Sequence, residues 1–346
     1  MAYTPIDKPS DYFNTVLYTG NATGRTISGV GFEPSWTWIK LINDTSGHRL
    51  LDAPRAATKE LISNGVNTTI TEAQSLQSWN SDGFVLGTAD GVNKNSGPFV
   101  AWNWKANGAG ASNTAGSINT IKTSASTTSG FSISTFTGTG SNATVGHGLG
   151  VAPKMVIIKS TTAGEDWTIF HEAIGATKYI VLNSTGAVGG PSAGPFNNTA
   201  PTSSVFSVGT WGSTNGSSQT LVAYCFAEVK GYSKISSYIG NGSATAPTFI
   251  YLGFKPSFVL IKNTTQADAW FLHDNKRDGF NDDNEYLRPN LADASGSGTN
   301  RIRLLSNGFS VPTTDKSHNV SGNVYIYMAF AENPFVTSTG IPATAR

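Results

Sequence analysis

One cysteine in 346 residues, 13% charged residues and a formal net charge of only +1 each remove a class of protein from consideration. The lone thiol, Cys225, forms no intrachain disulfide, so the fold has to be held by packing. Charged residues fall well below the ~25% of an average globular protein. No Lys/Arg cluster is longer than Lys276-Arg277, so nothing resembles the electrostatic footprint of a nucleic-acid binder. No apolar run approaches the ~18 residues of a membrane-spanning helix, which argues against membrane insertion. The opening MAYTPIDKPSDYF has neither the basic start nor the apolar centre of a secretory signal, and synthesis in the cytoplasm is expected. Helix formers are scarce, and only AATKELI at residues 56–62 has helical character. What is abundant is Gly (38 residues), Ser, Thr, Asn, β-branched and aromatic residues. That composition makes short strands joined by polar turns.

Those strands are arranged in a pattern that occurs three times. Each copy opens on an aromatic residue and a turn, Tyr18-Thr-Gly, Phe136-Thr-Gly and Tyr238-Ile-Gly, and continues with Gly-x-x-Pro-x-x-x-x-x-Lys. The second motif holds Gly31, Pro34 and Lys40, then Gly150, Pro153 and Lys159, then Gly253, Pro256 and Lys262. A second signature follows at Phe84, Phe206 and Phe309, and an aromatic closing strand at Trp104, Phe226 and Phe330. Spacing this regular over roughly 95 residues marks a triplicated unit. The expected fold is therefore all-β, three tandem β-sandwich or jelly-roll-like repeats at residues 11–106, 130–230 and 231–334. Residues 107–129, rich in Gly, Ala, Ser and Thr, read as a linker, and 335–346 as a tail. No such stretch separates the second copy from the third, so those two are expected to pack together with the first set apart.

Within a copy, Phe131–Phe136 alternates apolar and polar residues as a strand with one wet face does. Met155-Val-Ile-Ile and Phe258-Val-Leu-Ile are continuous apolar runs and read as strands buried on both faces. Trp104, Phe226 and Phe330 should point into their respective cores, with Asn103, Cys225 and Ala329 facing the other way.

Few residues offer chemistry. What recurs is turns and apolar positions, and the single polar side chain recognised in all three copies is the Lys at 40, 159 and 262. No catalytic triad, acid pair or metal-ligand cluster stands out, so no catalytic residue, cofactor or metal is expected and the repeats read as scaffold. His48 with Asp52, His171 with Glu172 and His273 with Asp274 place a His near a carboxylate shortly after the Lys strand. One His and one carboxylate leave a metal short of ligands, so strand-end hydrogen bonds are the expected role. Asp274, Asp278, Asp282 and Glu285 partly match a calcium loop, but Lys276 stands where a third ligand belongs and the flanks are not helical. Trp36 and Trp38 can be imagined stacking on sugars. Their replacement by Met155 and Ile157, and by Phe258 and Leu260, in the other copies favours a core role.

The stretches ATVGHGLGVAPKMVIIKS from Ala143, NNTAPTSSVFSVGT from Asn197, VAYCFAEVKGYSK from Val222 and YIYMAFAENPF from Tyr325 closely resemble a repeat family of bacteriophage virion proteins. That family is found in marine and siphophage-type genomes and is described as tail-fibre-like or as a domain of unknown function. The resemblance runs from about Asp11 to Phe335. It implies a non-enzymatic structural protein of the virion, made in the host cytoplasm, in a tail fibre or tail-associated host contact or else in a capsid decoration or head fibre. A carbohydrate-active enzyme on a β scaffold is disfavoured by the lack of a recurring acid pair. The implied partners are other virion proteins and a host surface glycan or receptor, with homo-oligomers expected. Recognition would sit in the segments that differ most between copies, residues 43–82, 161–203 and 263–307, which carry Arg49, Arg55, Lys59, Glu60, Asp274, Arg277, Asp278 and Glu285.

Overall fold

The computed structural model describes residues 3–277, 281, 285–297 and 300–342. Its architecture is all-β and built as sandwiches of antiparallel sheets. In the first unit the opening strand Phe13–Thr19 pairs with the closing strand Pro98–Trp104. The closing strand pairs in turn with Trp36–Leu41, and that strand with Arg49–Asp52, followed by Lys59–Ile62 and Ile70–Thr71. The same order recurs twice more. Phe131–Thr137 pairs with Thr220–Phe226, then Met155–Ser160, Thr168–His171 and Ile180–Val181. Ser233–Ile239 pairs with Val324–Pro334, then Phe254–Asn263 and Trp270–Asp274. A small sheet covers each large one, and Phe84, Phe206 and Phe309 lie on it, buried, opposite Ile27, Val145 and Ile250.

The Gly-x-x-Pro motif sets up the Lys strand. Gly31, Gly150 and Gly253 have φ of +88°, +74° and +81°, a left-handed turn that glycine adopts without the strain of a Cβ. Pro34 and Pro153 precede strands beginning at Trp36 and Met155. Pro256 lies inside a longer strand, at a register shift, where its missing N–H leaves no ladder bond broken.

Alternation along these strands decides what each face buries. Trp36 and Trp38, Met155 and Ile157, and Phe258 and Leu260 all enter one cluster, together with Trp104, Phe226 and Phe330. The intervening residues Ile39, Val156 with Ile158, and Val259 with Ile261 enter three separate clusters beneath the small sheets. Each sandwich thus has a core of its own, and the outer faces of the three large sheets converge on a fourth core that all three share. Apolar residues on both faces are what a sheet covered on both sides requires.

This arrangement corrects several expectations. The first copy is not set apart: Trp36 stacks on Tyr224 at 4.6 Å and Trp104 meets Phe330 edge-on at 5.7 Å. The closing aromatics enter the shared core instead of their respective ones. Residues 107–129 are not a plain linker. Lys122–Ser126 forms a strand on the edge of the second sheet, antiparallel to Phe131–Thr137, and Ala111 and Ile118 bridge to Thr123 and Val145. Ser and Thr satisfy linker composition and edge-strand chemistry equally well. The face predicted to be wet on Phe131–Phe136 is covered by the small sheet: Ser132 and Ser134 are buried, and Ser134 donates to the carbonyl of Gly146 at 2.9 Å. Residues 56–62 are not helical. Ala56 and Thr58 have positive φ, and Lys59–Ile62 is a strand because Leu61 is drawn into the shared core.

Candidate functional site

The recurring lysines explain how the units are joined. Lys40, Lys159 and Lys262 are buried to zero exposure. Each donates from Nζ to the carbonyl of the next residue, Leu41, Ser160 and Asn263, at 2.6, 2.8 and 2.9 Å. Lys159 and Lys262 also reach into the preceding unit, to the carbonyls of Val66 at 3.2 Å and Thr185 at 3.3 Å. Burial pushes all three ammonium groups down to about 8, as expected when a charge loses water and gains only carbonyl dipoles.

Two residues beyond each Lys, the backbone carries the same junction. The carbonyls of Thr161, Thr264 and Ile42 accept from the amides of Thr69, Val188 and Ser295 at 2.9, 3.0 and 2.6 Å. The first unit thereby bonds to the second, the second to the third, and the third back to the first. The chain closes into a pseudo-threefold ring.

Strand ends repeat the cycle with different chemistry. The register places Asp52, His171 and Asp274 opposite Trp36, Met155 and Phe258. Asp52 accepts from Tyr224 at 2.7 Å and from Arg55 at 2.6 Å. Asp274 accepts from Trp102 at 3.2 Å and from Arg277 at 2.6 Å. His171 faces the carbonyl of Tyr327 at 3.5 Å. One turn earlier in each junction, Trp167 donates to the carbonyl of Ile62 at 3.0 Å and Trp270 to that of Val181 at 2.9 Å. In the equivalent place of the first unit stands His48, which accepts from Trp38 at 2.9 Å.

Of the His and carboxylate pairs singled out in the sequence, Asp52, His171 and Asp274 bond across the seams, whereas Glu172 pairs with Lys154 and His273 with His318 inside their own units. All five histidines are neutral for the same reason. Burial lowers His147, drives His171 to about 4 and His273 to about 3, and holds His48 and His318 well below the usual imidazole value. His273 and His318 share a hydrogen bond at 3.0 Å between their Nε2 atoms.

Of the calcium pattern, Asp278 and Asp282 lie outside the described residues. Asp274 is committed to Arg277 and Trp102, and Glu285 accepts from Ser295 at 3.1 Å. Among the described residues no group of three or more His, Cys, Asp or Glu is placed to hold a metal. Cys225 is buried, with its thiol pushed up to about 12 by burial, which makes it a core residue and a poor nucleophile.

The divergent segments also serve the seams more than the surface. The side chains of Arg55 and Arg277 are 6% and 1% exposed in their ion pairs. Glu60 is buried against Ser75. Exchanging residues 263–307 for those of the second unit would put a His in the place of Asp274, whose carboxylate accepts from Trp102 of the first unit at 3.2 Å and holds Arg277 at 2.6 Å. These segments are structural in the main, and a swap that leaves the fold intact is not what the geometry allows.

One polar residue held in all three copies escaped the sequence reading. Asn93, Asn215 and Asn319 are completely buried. Their Oδ1 atoms accept from the amides of Asn21, Thr139 and Asn241 at 2.9, 2.8 and 2.9 Å. Their Nδ2 groups donate to the carbonyls of Gly87, Gly209 and Val311 at 2.7, 2.8 and 3.1 Å. Each Asn ties the turn after the opening strand to the end of the small sheet. The turn glycines Gly20, Gly138 and Gly240 sit so close to this corner that a Cβ would meet a carbonyl oxygen at 2.2, 2.3 and 2.4 Å. The signal that would have found the Asn is its constant distance before Trp104, Phe226 and Phe330.

With the seams, corners and cores accounted for, comparison with known proteins places the chain. Residues 8–334 match the family described as Domain of unknown function (DUF7483). The chain belongs to that family. A search of curated proteins gives no match. The DUF7483 match spans all three sandwiches. No helix among the described residues is long and apolar enough to cross a membrane.

Open surface clefts remain outside the seams. One of them, of about 390 Å³, is lined by Tyr3, Tyr251, Lys230, Lys234, Glu228 and Ser233 among others. Its two tyrosine hydroxyls are 2.9 Å apart, and burial raises Tyr3 to about 12. Lys230 and Lys234 lie over the rings of Tyr3 and Tyr251 at 4.9 and 5.7 Å.

Proposed function

We propose that this protein is a non-enzymatic structural component of a bacteriophage particle, seated as one pseudo-threefold body on a threefold-related site of the capsid. The phage assignment rests on the resemblance of the repeat motifs. The capsid assignment rests on one observation, the cyclic closure of the three sandwiches through Thr69 to Thr161, Val188 to Thr264 and Ser295 to Ile42. A monomer whose three units are related by a closed rotation presents three similar faces to a threefold surface, and supplies alone the symmetry that a fibre obtains by trimerising. The polar side chains held in triplicate, Lys40/159/262 and Asn93/215/319, are buried in the framework, Lys159 and Lys262 in the seams and the Asn in the corners. This leaves attachment to residues that differ between units.

A tail-associated host contact is the second reading. It is favoured by the cleft of Tyr3, Tyr251, Lys230, Lys234 and Glu228, whose rings, amines and carboxylate suit a sugar. Cryo-electron microscopy of particles produced from the encoding genome separates the two. Density of this size and threefold outline on the capsid shell supports the first reading. Density on the tail supports the second, and absence from purified particles overturns both.

A further inference from the structure

The three opening strands occupy equivalent places, but among the described residues only one of them has a neighbouring strand on its outer edge. In the second unit, Phe131–Thr137 is covered by Lys122–Ser126 in antiparallel register, and the carbonyl of Thr135 accepts from the amide of Ile121 at 2.7 Å. In the first unit the equivalent strand Phe13–Thr19 ends its sheet. The inward bonds of Tyr12 and Gly20, to Lys105 and Gly97, fix the alternation, so the backbone groups of Thr15, Leu17 and Thr19 face outward. Leu17, which corresponds to the buried Thr135, is 47% exposed.

Beside this edge lies a groove of about 210 Å³ on the seam between the third and first units, walled by Ser10, Phe13, Asn14 and Thr15 on one side and by Asn275 and Lys276 on the other. Two polar atoms in that wall, Thr15 Oγ1 and Asn275 Oδ1, are buried without a hydrogen-bond partner. Buried polar atoms left unpaired are uncommon and call for an occupant. The outward amide of Thr15 is meanwhile held by the side chain of Asn14 at 3.0 Å, a bond that an incoming carbonyl would take over. In the third unit the corresponding edge, Ser233–Ile239, also ends its sheet, and the amide of Ile235, the equivalent of Thr15, is held in the same way by a side chain, that of Glu228 at 2.8 Å.

We propose that the outer edge of Phe13–Thr19, with the groove beside its first three residues, accepts an extended segment of a partner polypeptide by strand addition, antiparallel and rich in Ser, Thr and Ala. The occupant's chemistry is set by the strand Lys122–Ser126, Lys-Thr-Ser-Ala-Ser, that the chain itself lays in the equivalent place. Main-chain bonds to the outward groups of Leu17 and to the amide of Thr19, whose carbonyl is held by Arg25 at 2.6 Å, supply affinity, and the two unpaired oxygens select donors at fixed positions along the arm. The inference concerns the edge alone and stands whether the body sits on a capsid or a tail.

The test uses the full chain and a synthetic peptide with the sequence of residues 119–127. With peptide at about 1 mM, amide hydrogen exchange at Leu17 and Thr19 is expected to slow at least tenfold, with the exchange of Thr135 unchanged. Leu17→Pro removes an outward N–H without touching the ladder to Pro98–Trp104 and should abolish the effect. Should that variant fail to fold, Asn275→Leu on the opposite wall should weaken it. Unchanged exchange at Leu17 and Thr19 overturns the proposal. So does a free chain that is already dimeric with these amides protected, which would make a second copy the occupant.

Discussion

The hydroxyl of Tyr224 in the second unit donates to Asp52 in the first at 2.7 Å, and the same carboxylate oxygen lies 2.6 Å from Nε of Arg55. Three groups from two units meet at one buried carboxylate, Arg55 three residues from Asp52 and Tyr224 172 residues away. Replacing Asp52 by Ala strands the guanidinium of Arg55 in a dry seam, and the expected loss is about 3–5 kcal/mol. Tyr224→Phe removes one bond and leaves the ion pair, so its loss should be nearer 1 kcal/mol. Urea unfolding of the two variants checks the ordering.

The corner asparagines give a matched set. Asn93→Ala, Asn215→Ala and Asn319→Ala each leave a backbone amide and at least two carbonyls unpaired in a buried corner, and each should destabilise by about 2 kcal/mol or more. Similar losses in all three units are expected because the bonds are the same in each. A neutral result at any one position in thermal unfolding would separate that unit from the others.

Tyr232 offers a change in the opposite direction. Its ring packs on Phe330 at 5.7 Å in the shared core, while its hydroxyl is buried without a partner. Tyr232→Phe should therefore raise stability by about 1 kcal/mol, the penalty of an unpaired hydroxyl removed at little cost in packing. An increased urea midpoint at unchanged slope is the expected reading.

Acid should unfold the protein, and histidine accounts for the onset. Each of the five is lowered by burial, so as pH falls through the ordinary imidazole range the unfolded chain gains protons that the folded chain refuses. Stability present at neutral pH is then lost, by as much as ~1.4 kcal/mol per pH unit for each histidine. The window runs from about 6.5 down to about 4 for His171 and about 3 for His273. The buried lysines act at the other end with their own sign. Their folded values near 8 lie below the ordinary value of 10.5, so their contribution becomes more favourable as pH rises between those limits. Urea midpoints taken from pH 4 to 9 should fall steeply on the acid side and hold or rise toward 9.

The sheets were legible in the sequence because alternation and turn residues are local signals. Gly31 to Lys40 and its two counterparts have the same spacing, and they lie on equivalent strands. Ring closure was not legible, because nothing in Trp36-Thr-Trp38 tells which of two apolar faces meets a neighbour 190 residues away, as Trp36 meets Phe226. Composition misled at residues 107–129, where a strand that needs only small polar residues looks like a linker. Divergence between copies misled at Arg55 and Arg277. Seams between non-identical units must also diverge, since each complements a different partner.

The shared core makes its aromatics a common property of the ring. Trp104→Ala, Phe226→Ala and Phe330→Ala should each cost about 3–5 kcal/mol, and each should lower the stability of the whole body.

The central claim, one closed body of three interdependent sandwiches, is tested most directly by differential scanning calorimetry of the full chain and of Phe330→Ala. A single transition is predicted in both, with calorimetric and van't Hoff enthalpies equal and the whole transition displaced downward in the variant. Two or three resolved transitions, only one of them moved by the substitution, would contradict it.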